Sequence, residues 1–180
     1  MKKGMYEKAK EVLFSPVRFF KGLDEKSIKP AFFYSIVLGI ITSILALSYG
    51  FLTNLAFYAQ SWWILVLVWV AEILILNFIL AGILCGWILL FGGKGSYLQT
   101  YQMMVYSSTP VNLLGWIPYV NYAAYVYSFV LMIIGTSEIY KMSKTRSTLM
   151  YILLIFILVL ISAVIVSLYI LGGNSLPPSA

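Results

Sequence analysis

Gly92–Pro118 reads GGKGSYLQTYQMMVYSSTPVNLLGWIP, and the fold follows from how this stretch is read. It opens as a glycine-rich turn around Lys94, the only charge between Glu72 and Glu138. It continues into an apolar run interrupted by Ser107-Ser108-Thr109-Pro110 and closes on Trp116 and Pro118. A proline inside an apolar helix removes a backbone donor and clashes with the preceding turn, so a kink or break is expected at Pro110. In lipid the freed carbonyls need other donors. The hydroxyls of Ser107, Ser108 and Thr109 are placed to supply them.

Composition carries the same conclusion to the whole chain. Of 180 residues, 62% are hydrophobic and 10% are charged, against about 25% charged in an average soluble domain. An all-α integral membrane protein is expected, with no room for a separate soluble domain. The net charge of +6 is spread at the flanks of apolar runs, which suits membrane orientation and anionic lipid and excludes a nucleic-acid face. There is no histidine, and Cys85 stands alone in an apolar run. Disulfide frameworks, Cys/His metal sites and histidine-based catalysis are thereby excluded, and neither cofactor nor metal is expected. The first apolar run begins near Ala31 and is too long for a signal peptide.

Residues 1–30 hold eight of the twelve basic residues. Met5, Ala9, Val12 and Leu13 share one helical face. Ser15-Pro16 reads as a fresh helix start, serine capping and proline in the first turn. Phe19, Phe20 and Leu23 then stand against Arg18 and Lys21, so this segment is expected to lie in the headgroup region as an amphipathic helix. A span needs about 20 apolar residues, and five stretches qualify: 31–56, 62–91, 97–117, 120–140 and 149–171. Residues 172–180 read as a loose outer tail.

Charge sets the expected topology. The turns near 57–61 and 117–121 carry no lysine or arginine, whereas Lys94 marks one intervening turn and Lys141, Lys144 and Arg146 another. All basic residues then fall on one side, giving an N-in, C-out protein. Tyr58, Trp62, Trp63, Trp116, Tyr119 and Tyr122 gather at the opposite interface. Ser35, Gly39, Thr42, Ser43, Ala46, Gly50 and Thr53 in the first span, Gly82-x-x-x-Gly86 in the second and Ala163-x-x-x-Ser167 in the fifth mark faces where helices approach closely.

Glu72 is the outlier, a carboxylate deep in the second span, where a charge costs at least ~2.5 kcal/mol. Two readings stay open: a proton, cation or lipid-headgroup site, or a carboxyl bonded to a neighbouring helix through Ser107, Ser108 or Asn112. Asn77 lies about 140° further around the helix and forms no compact site with Glu72. With the broken third span, this polar set (Glu72, Asn77, Ser107, Ser108, Thr109, Pro110 and Asn112) is the candidate intramembrane site. Glu138 and Lys141, three residues apart, are expected to pair. The Gly92–Gly95 turn lacks phosphate-loop spacing. The inner-face cations Lys8, Lys10, Arg18, Lys21, Lys94, Lys141, Lys144 and Arg146 are the candidate contacts for anionic lipid or acidic protein.

Taken in order, Leu13-Phe14-Ser15-Pro16 with Phe19-Phe20, Gly92-Gly93-Lys94-Gly95-Ser96 with Gln99, and Tyr106–Pro110 followed by Gly115-Trp116-Ile117-Pro118 resemble the Yip family (Ypt-interacting proteins). The likeness is to its short prokaryotic branch and covers nearly the whole chain. The Asp-Leu-Tyr-Gly-Pro motif of the eukaryotic branch is absent, and Val105 stands where that branch has a glycine. The resemblance implies a five-span fold in a prokaryotic cell membrane. It also implies a non-enzymatic role in protein association, homo-oligomer included, or membrane organisation; the motif of the GTPase-associated eukaryotic relatives is missing, and GTPase involvement stays open. The alternative is a small transporter, channel or lipid-handling protein using Glu72 and the Pro110 break.

Overall fold

The computed structural model describes residues 4–53, 63–64, 66–68 and 70–173, and every regular element among them is helical. Tyr58, Trp62 and the tail from 174 lie outside the described residues, as does part of the expected 62–91 span. In chain order the helices are α1 (Met5–Phe14), α2 (Pro16–Lys21) and α3 (Lys29–Leu52), followed by a π-helical turn at Glu72–Leu76. Then come α4 (Asn77–Leu90), α5 (Tyr97–Ser107), α6 (Thr109–Leu114), α7 (Val120–Tyr140) and α8 (Lys144–Gly173). By length and apolarity, α3, α7 and α8 can each cross a membrane.

Local signals account for the boundaries. Ser15 precedes α2 and Pro16 occupies its first turn, where a missing N–H costs nothing. Ser96 and Gln99 cap α5 reciprocally: the Gln99 N–H donates to Ser96 Oγ at 3.4 Å, and the Ser96 N–H to Gln99 Oε1 at 3.0 Å. Tyr119 (φ 67°) and Lys141 (φ 54°) bracket α7 in the left-handed region, a conformation that interrupts helix propagation.

The stretch expected as one span over 97–117 is two short helices, broken at Ser108. Pro110 does not sit mid-helix; it lies in the first turn of α6, where its ring is preorganised for helix. Helix α5 is the axis of the bundle, with Thr100–Met103 and Val105–Ser107 all buried. It packs on α3, α4 and α7, while α6 packs on α3 and α7.

The N-terminal segment departs from expectation. Helix α2 lies along α7, and α1 touches α5 and α6. Val12, Phe19 and Phe20 are buried, with Phe19 edge-on to Tyr106 at 5.0 Å. A Cβ on Gly135 would stand 3.3 Å from the Phe20 ring. Val12, Phe19 and Phe20 of this apolar face are thus covered by protein rather than by headgroups, whereas Met5, Tyr6 and Phe14 stay exposed.

The small-residue faces divide. Ser35, Gly39, Thr42 and Gly50 of α3 are buried. Gly82 and Gly86 are exposed, and a Cβ at Gly86 would meet nothing within 4 Å among the described residues. Ala163 and Ser167 are exposed as well. Helix α8 is anchored near its start, where Trp87 Nε1 donates to the Met150 carbonyl at 3.3 Å and Thr136 and Tyr151 hydroxyls lie 2.8 Å apart. Beyond Ile157 its described side chains are exposed.

Candidate functional site

The helical hairpin of α1 and α2 brings Lys8 to Glu25, and α5 brings Tyr106 to both. The Lys8 ammonium pairs with Glu25 Oε1 and lies 3.1 Å from the Tyr106 hydroxyl. That hydroxyl is 2.9 Å from both Glu25 carboxylate oxygens. The buried Gln102 amide fixes the preceding loop, donating to the Glu25 carbonyl at 2.9 Å and the Ser27 carbonyl at 3.0 Å. The side chains of Lys8 and Glu25 are 15% and 16% exposed, so this is a sheltered pair rather than a surface one. Lys8 is thereby withdrawn from the inner-face cations expected to meet lipid.

Deeper in the same cluster the Tyr34 ring packs on Tyr106 at 4.9 Å. Its hydroxyl lies 2.9 Å from Thr109 Oγ1, and that oxygen also donates to the Tyr106 carbonyl at 2.6 Å. Here the helix break finds its partners. Ser108 Oγ donates to the Val105 carbonyl at 2.8 Å, and Asn112 Nδ2 to Ser108 O and Oγ, both at 3.0 Å. Thr42 reaches the Asn112 carbonyl from α3. Ser107 Oγ is buried with no partner among the described residues.

Apart from Ser107, the polar side chains at the break are occupied with the backbone and with each other. Among the described residues none of them hydrogen-bonds Glu72, so the carboxyl is not tied to Ser107, Ser108 or Asn112. Glu72 is exposed and opens the π-helical turn, with half-buried Asn77 just beyond it. Nor do Glu138 and Lys141 pair; among the described residues the ion pair is Lys8–Glu25. The left-handed backbone at Lys141 ends the helix, so the helical register that would aim one side chain at the other stops there. No three His, Cys, Asp or Glu side chains among the described residues are arranged to hold a metal ion.

The glycine loop and the 141–148 turn meet. Gly92 has φ +74°, and a Cβ there would lie 2.9 Å from an Arg146 guanidinium nitrogen. On the other side of the loop the Tyr140 ring fills the space over Gly93 and Gly95, and its hydroxyl bonds Thr100. The glycines are needed because arginine and tyrosine occupy the room of their side chains. Lys94, Lys141, Lys144 and Arg146, all exposed, therefore surround one tip of the bundle. Lys10, Arg18 and Lys21 are exposed on the hairpin.

Glu25, Gln102 and Tyr34 escape a reading of the sequence as site residues, and Tyr106 enters it only as part of a motif. The available signal was the Ser15-Pro16 turn, which folds Lys8 and Glu25 onto the same side.

Neither a curated protein nor a solved structure gives a significant match to the chain. A family model does: the Yip1 domain matches residues 10–166. That match runs from the N-terminal hairpin through the glycine loop and the broken α5–α6 unit into α8. The protein is a multi-pass integral membrane protein and belongs to the Yip1 domain family.

Proposed function

We propose that the protein is a non-enzymatic, five-span, N-in and C-out protein of a prokaryotic cell membrane. Its inner cationic face gathers anionic lipid and an acidic partner protein or second copy, organising the membrane around it. The observation that carries this reading is the contact of Arg146 with Gly92, which makes two turns separated by α5, α6 and α7 one surface. A juxtamembrane basic residue is worth about 1 kcal/mol toward anionic lipid. Lys94, Lys141, Lys144 and Arg146 together then supply a strong bias. The apolar stretch Leu74–Leu90 and the broken α5–α6 unit stand as the two remaining spans beside α3, α7 and α8.

The test is reconstitution into a mixture of phosphatidylglycerol and phosphatidylcholine, followed by extraction in native nanodiscs and lipid analysis. Phosphatidylglycerol is expected to be enriched around the protein and to fall toward the bulk ratio when Lys94, Lys141, Lys144 and Arg146 are all changed to glutamine. An unchanged ratio removes the lipid part of the reading. A reporter fused after Ala180 that proves cytoplasmic overturns the topology.

A second reading, a transporter or lipid-handling protein working through Glu72, has one observation in its favour. The carboxylate opens a π-helical turn, a distortion common at functional sites. It predicts a proteoliposome flux or lipid transfer that Glu72→Gln abolishes without loss of folding. A flux that survives the change removes Glu72 from the mechanism.

A further inference from the structure

Helices α1 and α3 both touch α6 but leave a gap beside it. Between them lies a half-open cleft of about 450 Å³, within the size range of small-ligand sites. Its walls are Met5, Ala9 and Leu13 from α1, Val37 and Ile41 from α3, and Leu113 from α6. Three side chains with a polar group reach it, exposed Tyr6 at its rim among them. Tyr34 already shares a hydrogen bond with Thr109. Lys10 is exposed and has no carboxylate partner among the described residues.

Water is a poor occupant, because a stable buried water needs two to four polar partners. A peptide segment is no better, since its backbone groups would find almost no donors or acceptors on these walls. An apolar chain ending in one anionic group matches both features. We infer that the α1–α3–α6 cleft holds one acyl chain of an anionic phospholipid, its phosphate drawn to Lys10. This deepens the anionic-lipid part of the reading above, at a place apart from the two inner turns. It also gives a role to the standoff of α1: Lys8 and Val12 hold one face of the helix to the bundle, and Ala9 and Leu13 beside them line the cleft that the lipid fills.

The experiment is native mass spectrometry of the full-length protein in detergent with phosphatidylglycerol or phosphatidylcholine, together with photo-crosslinking by phosphatidylglycerol carrying a diazirine in its acyl chain. One phosphatidylglycerol is expected to be retained, preferred roughly fivefold, the scale of a single lysine near an anionic surface. Lys10→Gln abolishes the preference, and Ile41→Trp, which fills the cleft, releases lipid of either kind. Crosslinks fall on 5–14 and 34–41. Should Ile41→Trp fail to fold, the crosslink map of the unsubstituted protein decides. Crosslinks spread along exposed α8 positions such as Val164, retention unchanged in both variants, or a second copy of the chain in place of lipid each overturn the assignment. Changing Lys94, Lys141, Lys144 and Arg146 to glutamine is expected to leave this one lipid bound. If that variant loses it and Lys10→Gln does not, the lipid belongs to the turns and the cleft assignment is wrong.

Discussion

Lys8 and Tyr106, 98 residues apart in sequence, stand 3.1 Å apart and share the Glu25 carboxylate between them. This contact locks the N-terminal hairpin onto the central helix. Lys8→Met leaves a sheltered carboxylate with only a phenol to answer it. Breaking a buried pair on one side costs about 3 kcal/mol, and the thermal unfolding midpoint in detergent is expected to fall accordingly. The double change Lys8→Met with Glu25→Met is expected to recover part of that loss: it removes the unpaired carboxylate but leaves the buried Tyr106 hydroxyl without its partners. A double variant no better than the single one shows that the ion pair does not carry the docking.

Thr109 and Ser107 lie two residues apart at the helix break and are expected to behave oppositely. Thr109→Val strips the buried Tyr34 hydroxyl of its partner, at a cost of about 1–3 kcal/mol. Ser107→Ala removes a buried hydroxyl that has no partner among the described residues, so it is expected to be neutral or slightly stabilising. Chemical or thermal unfolding of the two variants side by side checks the contrast. Equal destabilisation would mean that Ser107 is satisfied in the folded protein.

Gly95 gives way to the Tyr140 ring, whose Cε1 would lie 2.4 Å from an added Cβ. Gly95→Ala is expected to push the ring off the loop and break its bond to Thr100, with a loss of about 1–3 kcal/mol. The tyrosine ring then becomes more mobile, which side-chain NMR or tyrosine fluorescence reports. An unchanged unfolding midpoint with an unmoved ring counts against this packing.

Gly86 makes the reverse case. A methyl group there meets nothing within 4 Å among the described residues, and glycine inside a helix is less stable than alanine by roughly 0.5–1 kcal/mol. Gly86→Ala is expected to raise stability slightly and leave the apparent mass in detergent unchanged. A fall in apparent mass would instead mark the Gly82–Gly86 face as a contact between copies.

The sequence by itself determined the helical class, the apolar runs that become α3, α7 and α8, the helix start at Ser15-Pro16 and the break beside Pro110. These depend on neighbours in the chain: run length, capping geometry and the donor that proline lacks. It also made the glycine loop legible as a turn, though not what fills it. Only the tertiary structure decided that Val12, Phe19 and Phe20 face protein, that Lys8 answers Glu25 and that Arg146 lies over Gly92. It alone separated the small residues of α3, which are buried, from Gly86 and Ser167, which are not. The physical reason is that an apolar face in a membrane protein can be covered equally by lipid or by another helix, so periodicity shows that a face is apolar without showing its neighbour. For Lys8 the sequence showed a charge among charges. Its partner was set by the hairpin that carries Glu25 and by Gln102, which holds Glu25 in place from the far side of the chain.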